Sequence, residues 1–391
     1  MQPLKGTTVI ALEQVIAAPF ASRQLADLGA RVIKIERPRV GDYARGYDDK
    51  ANGLSSHFVW TNRSKESLTL DVKTKEGQTI LEKLLAAADV FLHNLSPGAV
   101  ERLGFDADRL RNTYPRLIIC TISGYGSGGP YQNKKAYDLL VQAETGLLSV
   151  TGTAETPSKA GISVADIASG MYAYSGILTA LLARQQTGEG TAIEVSMLEA
   201  LGEWMSFPMY YALSGDSPTR NAASHASIAP YGPYPTGDGK MVVLGVQNEP
   251  EWHRFCSIVL DDPALAEDDR FSANGLRVTN RAAMDELIHA VFQQLTKDEI
   301  ITRLEAARIA NAETRTMTDF RDHPQLAARN RWRTVDSAVG PLPALLPAAN
   351  LAGVETAFEP IPTVGEHTDK ILAELGFDQE KIDQLRQAKT I

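Results

Sequence analysis

The carboxylate best suited to nucleophilic chemistry in this chain is Asp166, in the segment GISVADIASGMYAYSGILTALLARQQTGEG at 161–190. Ile167, Met171, Tyr172, Ile177, Leu178, Leu181 and Leu182 recur at helical spacing, so the pattern predicts a helix with Asp166 near its N-cap. Ala168, Ser169 and Gly170 give the first turn almost no side-chain bulk, so a large ligand could approach the carboxylate and the exposed backbone N–H groups together. The competing reading is an ordinary capping aspartate that accepts N–H bonds and does no chemistry.

A second cluster lies in KKAYDLLVQAETG at 134–146, where Lys134, Lys135, Tyr137 and Asp138 precede an apolar helix. Two cations beside a helix start suit phosphates or a polarised carbonyl oxygen, against the bland reading of a solvated lysine pair and one more capping aspartate. Arg37 follows VIKIE, Lys73 follows LTLDV, and Arg102 lies in VERLGF, at or near strand ends, where α/β sheets receive ligands. Six arginines, Arg308, Arg315, Arg321, Arg329, Arg331 and Arg333, crowd one stretch. One or two of them could hold a substrate carboxylate through a bidentate fork. Around His225 and Tyr231, SHASIAPYGPYPTGDG reads as a pocket lid or a turn-rich linker. GYGSGGP at 124–130 lacks the small apolar helix start of a dinucleotide fingerprint and reads as a plain loop. No metal site is expected, because the seven histidines are dispersed and Cys120 and Cys256 sit in apolar runs as buried thiols.

The elements that must position these groups alternate in type. Strands are predicted at Thr7 to Leu12, Arg31 to Glu36, Ser67 to Asp71, Asp89 to Leu95 and Leu117 to Ser123, with a helix running to Leu28 and another from Thr74 to Ala88. That alternation predicts an α/β fold built on a mostly parallel, doubly wound sheet. The expected division is a large domain at 1–213, a Ser/Gly/Pro/Asn-rich linker at 214–239, a smaller α/β domain at 240–325, a Pro-rich return linker at 326–362 and a C-terminal segment at 363–391.

Composition excludes several classes of partner. Apolar residues make up 43% of the 391-residue chain and the net charge is -9, which gives a real core and no basic stripe for nucleic acid or an anionic membrane. No apolar run is long enough to cross a bilayer, and MQPLKGTTVIALEQ lacks the layout of a signal peptide, so a cytoplasmic protein is expected.

Taken in order, LADLGARVIKIERP with GDYARG, LTLDVKTKEG, NLSPGAVERLGF, KKAYDLLVQAETG, GISVADIASGM with TGEG, and VGEHTDKILAELGF resemble the class III CoA-transferases. This is the formyl-CoA and carnitine-CoA transferase group, which also holds the α-methylacyl-CoA racemases. The likeness runs almost end to end. It implies a Rossmann-like large CoA-binding domain built from both chain ends, a smaller α/β domain, and an interlocked homodimer. It also implies acyl-CoA and a small carboxylic acid as substrates, with no permanently bound cofactor. Asp166 would be the nucleophile, forming acyl anhydride and CoA-thioester intermediates while water is excluded, with backbone N–H groups at the helix start stabilising the oxyanions. Contacts to coenzyme A would come from Ile16, Ala17, Arg37, Leu70, Asp71, Val72, Lys73, Asn94, Leu95, Ser96, Arg102, Lys135, Ala136, Tyr137 and Asp138.

Two departures refine this expectation. Ile16 stands where the formyl-CoA branch has glutamine, and no polyglycine loop occupies 225–239, which argues against formate or oxalate. Tyr137 stands where the racemases have histidine, which removes one base of a two-base proton transfer. RIANAETRTMTDFRDHPQLAARNRW and HASIAPYGPY resemble the branch handling itaconate, mesaconate, citramalate or succinate. The expected reaction is therefore CoA transfer from a donor such as succinyl-CoA to a C5 dicarboxylate such as itaconate or mesaconate. The alternatives are a racemase, an intramolecular mesaconyl-CoA transferase and a non-catalytic acyl-CoA binding protein.

Overall fold

β-branched and apolar runs too short for helices form six strands: β1 (Thr8–Leu12), β2 (Arg31–Glu36), β3 (Lys65–Thr69), β4 (Val90–His93), β5 (Ile118–Ser123) and β6 (Ala192–Ser196). The computed structural model, which describes residues 1–215 and 218–391, joins them into one sheet in the order β3-β2-β1-β4-β5-β6. Every pairing is parallel, with Ile10 opposite Ile33 on one side and Phe91 on the other. This is the doubly wound order 3-2-1-4-5-6, whose direction of winding reverses between β1 and β4.

Both faces of the sheet are covered, as parallel strands require. One carries a large apolar cluster in which Ile10, Ile33, Leu68 and Phe91 meet Ile80, Leu81, Leu84 and Leu85 of α2 (Lys75–Ala86). Ile371, Leu372, Ile382 and Leu385 close this cluster from the C-terminal helices, each buried side chain contributing about 1.5–3 kcal/mol. Backbone bonds fix that segment against the edge strand: His367 N–H donates to the Ser67 carbonyl at 2.9 Å, and Asp71 N–H to the Thr390 carbonyl at 2.7 Å.

Small residues dominate where α1 (Ala17–Asp27) meets α4 (Val164–Thr187). Ala17, Ala18 and Ala21 on α1, and Ala165, Ala168 and Ala173 on α4, are all buried. A Cβ at Gly170 would fall 2.7 Å from the Ala17 carbonyl oxygen and 3.0 Å from Phe20 Cδ1. Among the small residues expected to leave room for a ligand around Asp166, Gly170 therefore serves helix packing. It is turned into α1, where the two backbones approach too closely for anything larger.

Two compact units account for the chain: residues 1–146, 160–207 and 326–391 in one, 147–159 and 208–325 in the other. The excursion at 147–159, expected within the large domain, clusters with the smaller unit. That unit has its own core of Trp252, Phe255, Phe271, Met284, Ile288, Phe292, Ile300 and Leu304. Its sheet joins β7 (Tyr231–Pro235), β8 (Met241–Gly245) and β9 (Ala310–Glu313), all antiparallel.

The expected linker at 214–239, of which 216 and 217 lie outside the described residues, thus contains a strand. Pro233 and Pro235 hid it, since proline argues against a ladder position. In the expected return linker at 326–362, β10 (Trp332–Val335) and β11 (Leu342–Leu345) pair as an antiparallel ribbon.

Candidate active site

Most of the sequence-predicted contact residues follow the carboxyl ends of β1 to β4, where an open α/β sheet leaves its ligand crevice. Ile16 and Ala17 follow β1, Arg37 follows β2, Leu70, Asp71, Val72 and Lys73 follow β3, and Asn94, Leu95 and Ser96 follow β4. Asn94 clamps the first of these loops to the fourth: its Oδ1 accepts from Gln14 N–H and its Nδ2 donates to the Gln14 carbonyl, both at 2.8 Å. Arg37 donates to the Gly41 carbonyl and stacks over the Tyr43 ring at 3.7 Å. Asp71 shapes its own turn by accepting from Lys73 N–H at 3.0 Å.

Ile16, Ala17 and Leu70 are 3%, 2% and 2% exposed, and Val72 and Leu95 pack against the core. Lys73, Ser96, Arg102 and Lys135 are exposed, and the Arg102 guanidinium reaches the Pro97 carbonyl at 3.5 Å.

A second group surrounds Asp166. The loop after β5 folds back so closely that a Cβ at Gly124 would lie 2.2 Å from the Ala136 Cβ. This close approach delivers Ala136, Tyr137 and α3 (Asp138–Glu144). Asp138 Oδ1 accepts from the backbone N–H groups of Ala165, at 2.8 Å, and Asp166, at 3.4 Å, while its Oδ2 accepts from the buried Gln142 Nε2 at 2.6 Å.

Asp138, borrowed from another segment, therefore caps α4. Ser163, at the N-cap, makes no side-chain cap bond, and Asp166 occupies the third helical position, where a carboxylate suits the helix dipole. The expected oxyanion stabilisation by this helix start does not survive. Val164 N–H is held by the Ile162 carbonyl, Ala165 and Asp166 by Asp138, and Ile167 by the Ser163 carbonyl.

Burial, reinforced by the like charge of Asp138, pushes the Asp166 carboxyl up to about 7. Among the described residues no hydrogen bond to the Asp166 carboxylate is present. A carboxylate with raised basicity and no partner is a better nucleophile than one held by donors.

Sequence reasoning missed three components. Tyr47, whose phenol is raised by burial and then by the charges of Asp42 and Asp166, lies close enough to Asp166 and Tyr137 to feel both. Gln142, which orients Asp138, was legible as an i,i+4 Asp–Gln pair on one helix face. The third is a buried charge array beneath the β1 loop. Lys34 Nζ donates to Asp42 at 2.7 Å and Glu13 at 3.2 Å, and Lys65 Nζ donates to Glu13 at 2.7 Å. Burial opposes ionisation of Glu13, but Lys34 and Lys65 outweigh it and hold the carboxyl below its ordinary range.

The arginine-rich stretch divides between the two units. Arg321 pairs with its neighbour Asp322 at 2.9 Å, Arg331 donates to the Leu346 and Pro347 carbonyls, and Arg333 donates to the Asn330 and Trp332 carbonyls. The segment read as a pocket lid or a turn-rich linker is partly ladder, with His225 stacked on Tyr231 at 5.1 Å.

Comparison with known proteins places the chain in a class. CoA-transferase family III matches residues 4–368, and the chain belongs to that family: it is a CoA-transferase. Among its relatives, the succinate–glutarate CoA-transferase of Agrobacterium fabrum is 34% identical, the alignment covering 95% of this chain and 96% of that protein. The human succinyl-CoA:glutarate CoA-transferase is 30% identical over 100% of this chain and 90% of its own length. A CAIB/BAIF family protein from Brucella suis, of known crystal structure, superposes with a TM-score of 0.83 at 32% identity, covering 96% of this chain and 99% of that one.

Proposed function

We propose that the protein moves CoA from succinyl-CoA to a five-carbon dicarboxylate, with Asp166 as the covalent carrier. One observation carries the assignment of the carrier. Asp166 is a carboxylate of raised pKa, with no hydrogen-bond donor on it among the described residues, at the start of a helix in a family III CoA-transferase.

An Asp166 oxygen attacks the thioester carbonyl, the C–S bond breaks, and CoA thiolate leaves a mixed anhydride. The thiolate attacks the Asp166 carbonyl, succinate departs, and an aspartyl-CoA thioester remains. The acceptor carboxylate displaces the thiolate, forming a second anhydride, and the thiolate then attacks the acceptor's carbonyl. A new CoA ester and the free aspartate result, with no net proton change. The charges of Arg37, Lys73, Arg102 and Lys135 suit the phosphates of CoA.

The dicarboxylate reading rests on the names of the relatives, which act on succinate and glutarate, and on the likeness to the itaconate and mesaconate branch. Glutarate, itaconate and mesaconate all have five carbons. We further propose an interlocked homodimer in the cytoplasm. The dimer is supported by the family resemblance and by Trp204, Tyr210 and Leu213, exposed at 46%, 63% and 72%.

Succinyl-CoA incubated with isotopically labelled glutarate, itaconate or mesaconate, with the CoA esters resolved by mass, tests the reaction. The expected result is label in the new ester only when both substrates are present. Epimerisation of a 2-methylacyl-CoA without exchange between acids would overturn it. Conversion of mesaconyl-CoA with no uptake of labelled free acid would establish intramolecular transfer instead. Hydroxylamine trapping of an adduct that disappears in Asp166→Ala tests the carrier.

A further inference from the structure

Val15 is β-branched, yet its φ is 67°, in the left-handed region that such residues avoid. Conformations of this kind persist only where the surroundings over-determine them, and here they do. On the N-terminal side, Gln14 is fixed through both its N–H and its carbonyl by Asn94, and its Oε1 accepts from Tyr43 N–H at 3.2 Å. On the C-terminal side, the Ile16 carbonyl accepts from Phe20 N–H at 2.7 Å and so belongs to α1. The Val15 N–H itself donates to Asp42, 3.0 Å from Oδ1 and 3.2 Å from Oδ2. Asp42 is 1% exposed; its Oδ2 is held by Lys34 at 2.7 Å, and its Oδ1 also caps Ala44 N–H at 2.9 Å.

This turn does two things. It places the buried Ile16 and Ala17 main chain at the winding reversal between β1 and β4, and it sets the first turn of α1. The Ala17 carbonyl of that turn lies against Gly170, one helical turn along α4 from Asp166. We infer that Asp42, fixed by Lys34, is a positioning residue for the acyl-transfer site. By holding Val15 left-handed, it sets the α1 start against α4 and so the place of Asp166 relative to the bound thioester. The inference rests on Asp166 being the carrier.

Asp42→Asn tests it with little change of shape. Buried Lys34 claims the single amide oxygen at the Oδ2 position, so the amide nitrogen faces the Val15 and Ala44 N–H groups, donor against donor. With the nearer acceptor, Oδ1, gone and the longer 3.2 Å contact left only to an oxygen already claimed by Lys34, Val15 can relax to a right-handed or extended conformation.

The measurement is the single-turnover rate of Asp166 adduct formation with succinyl-CoA, trapped with hydroxylamine and expressed per folded protein. The expected loss in Asp42→Asn is tenfold or more. Val15→Gly supplies the rescue, because glycine adopts positive φ without strain. Asp42→Asn combined with Val15→Gly should recover at least threefold over Asp42→Asn alone.

An unchanged rate per folded molecule in Asp42→Asn, with only the melting temperature lowered, overturns the inference. So does a double variant no faster than the single one. If Asp42→Asn does not fold, the comparison is made within the Val15→Gly background, where the asparagine is expected to cost less than threefold; a tenfold loss there also overturns it. The unaltered enzyme is the control for the underlying reading. If it forms no adduct with any CoA ester offered, the carrier assignment fails, whereas adduct formation with no effect of Asp42→Asn refutes the positioning role alone.

Discussion

Replacing Asp166 by asparagine should make the folded protein more stable at neutral pH while abolishing transfer. The carboxyl titrates at about 7 in the fold, against an ordinary value of 3.8. Between those two values the unfolded chain has released a proton that the native state still holds. Stability therefore falls as pH rises through that window and is flat on either side of it. A rise of about three in pKa, at about 1.4 kcal/mol each, bounds the cost at about 4 kcal/mol. Because Asp166 keeps some contact with solvent, which screens its charge, we expect about 1–2 kcal/mol of that to be realised. Asparagine keeps the shape and never ionises, so its stability lacks this decline. Thermal unfolding of both proteins from pH 4 to 8.5 should give similar midpoints at the acid end. Near pH 8 the variant should lead by a few degrees. Midpoints that run parallel across the range, or a variant that loses ground as pH rises, would refute the claim that Asp166 is held out of its ordinary ionisation. The unaltered enzyme supplies a second reading, since its rate of adduct formation should climb with pH to a plateau above about 7.

Asp138→Asn removes the like charge beside Asp166 but leaves an oxygen for the Ala165 N–H, so the acid limb of the pH–rate profile should move to lower pH; an unmoved limb would leave burial as its sole cause. Gly170→Ala must push α1 from α4 at the Ala17 carbonyl, which should cost about 1–3 kcal/mol in denaturant unfolding and slow adduct formation. Lys34→Met leaves Asp42 without a cation in the interior and Glu13 with Lys65 alone and should cost about 3–5 kcal/mol, read as a fall in the denaturant midpoint.

Much of the large sheet was legible because its strands are bounded apolar runs separated by helical periodicity. β2 has its expected ends, Arg31 and Glu36, and β1 begins one residue late, at Thr8. β3 was placed two residues late, because Lys65 and Glu66 read as the end of a loop when in fact they pair with Val32 and Ile33. The small-unit sheet was half legible: MVVLGV announces β8, but its partner YGPYP carries two prolines and its other partner ANAE no branched apolar residue. At the site, Asp166 could be singled out from its surroundings, yet the purpose of Gly170 was misread. Gly170 looks permissive in one dimension, and only the packing of α1 reveals which side it faces.

The buried charges were the least legible feature, for a physical reason. In RVIKIE, Lys34 and Glu36 fall at alternate positions and read as the wet face of a half-exposed strand. A parallel sheet covered on both faces has no wet face, and Lys34 is 0% and Glu36 1% exposed. Glu13, Glu36 and Asp42 face Lys34, Lys65 and Arg45 through contacts such as Arg45 to Glu36 at 2.7 Å, and burial pulls the Lys65 ammonium down to about 7. Apolar side chains of similar volume would fill this space at least as stably, because desolvating charges offsets most of their attraction. What apolar groups cannot do is accept the Val15 N–H, cap Ala44 and fix the Asp42 N–H through Glu36 at the same time. The array lies beneath the turns that follow β1 and β2, the two strands whose ends lead into the α1 start and the Tyr43–Tyr47 turn beside Asp166. Its position and its bonds both favour geometry over stability as the reason that Glu13, Lys34, Glu36, Asp42 and Lys65 are kept out of water there.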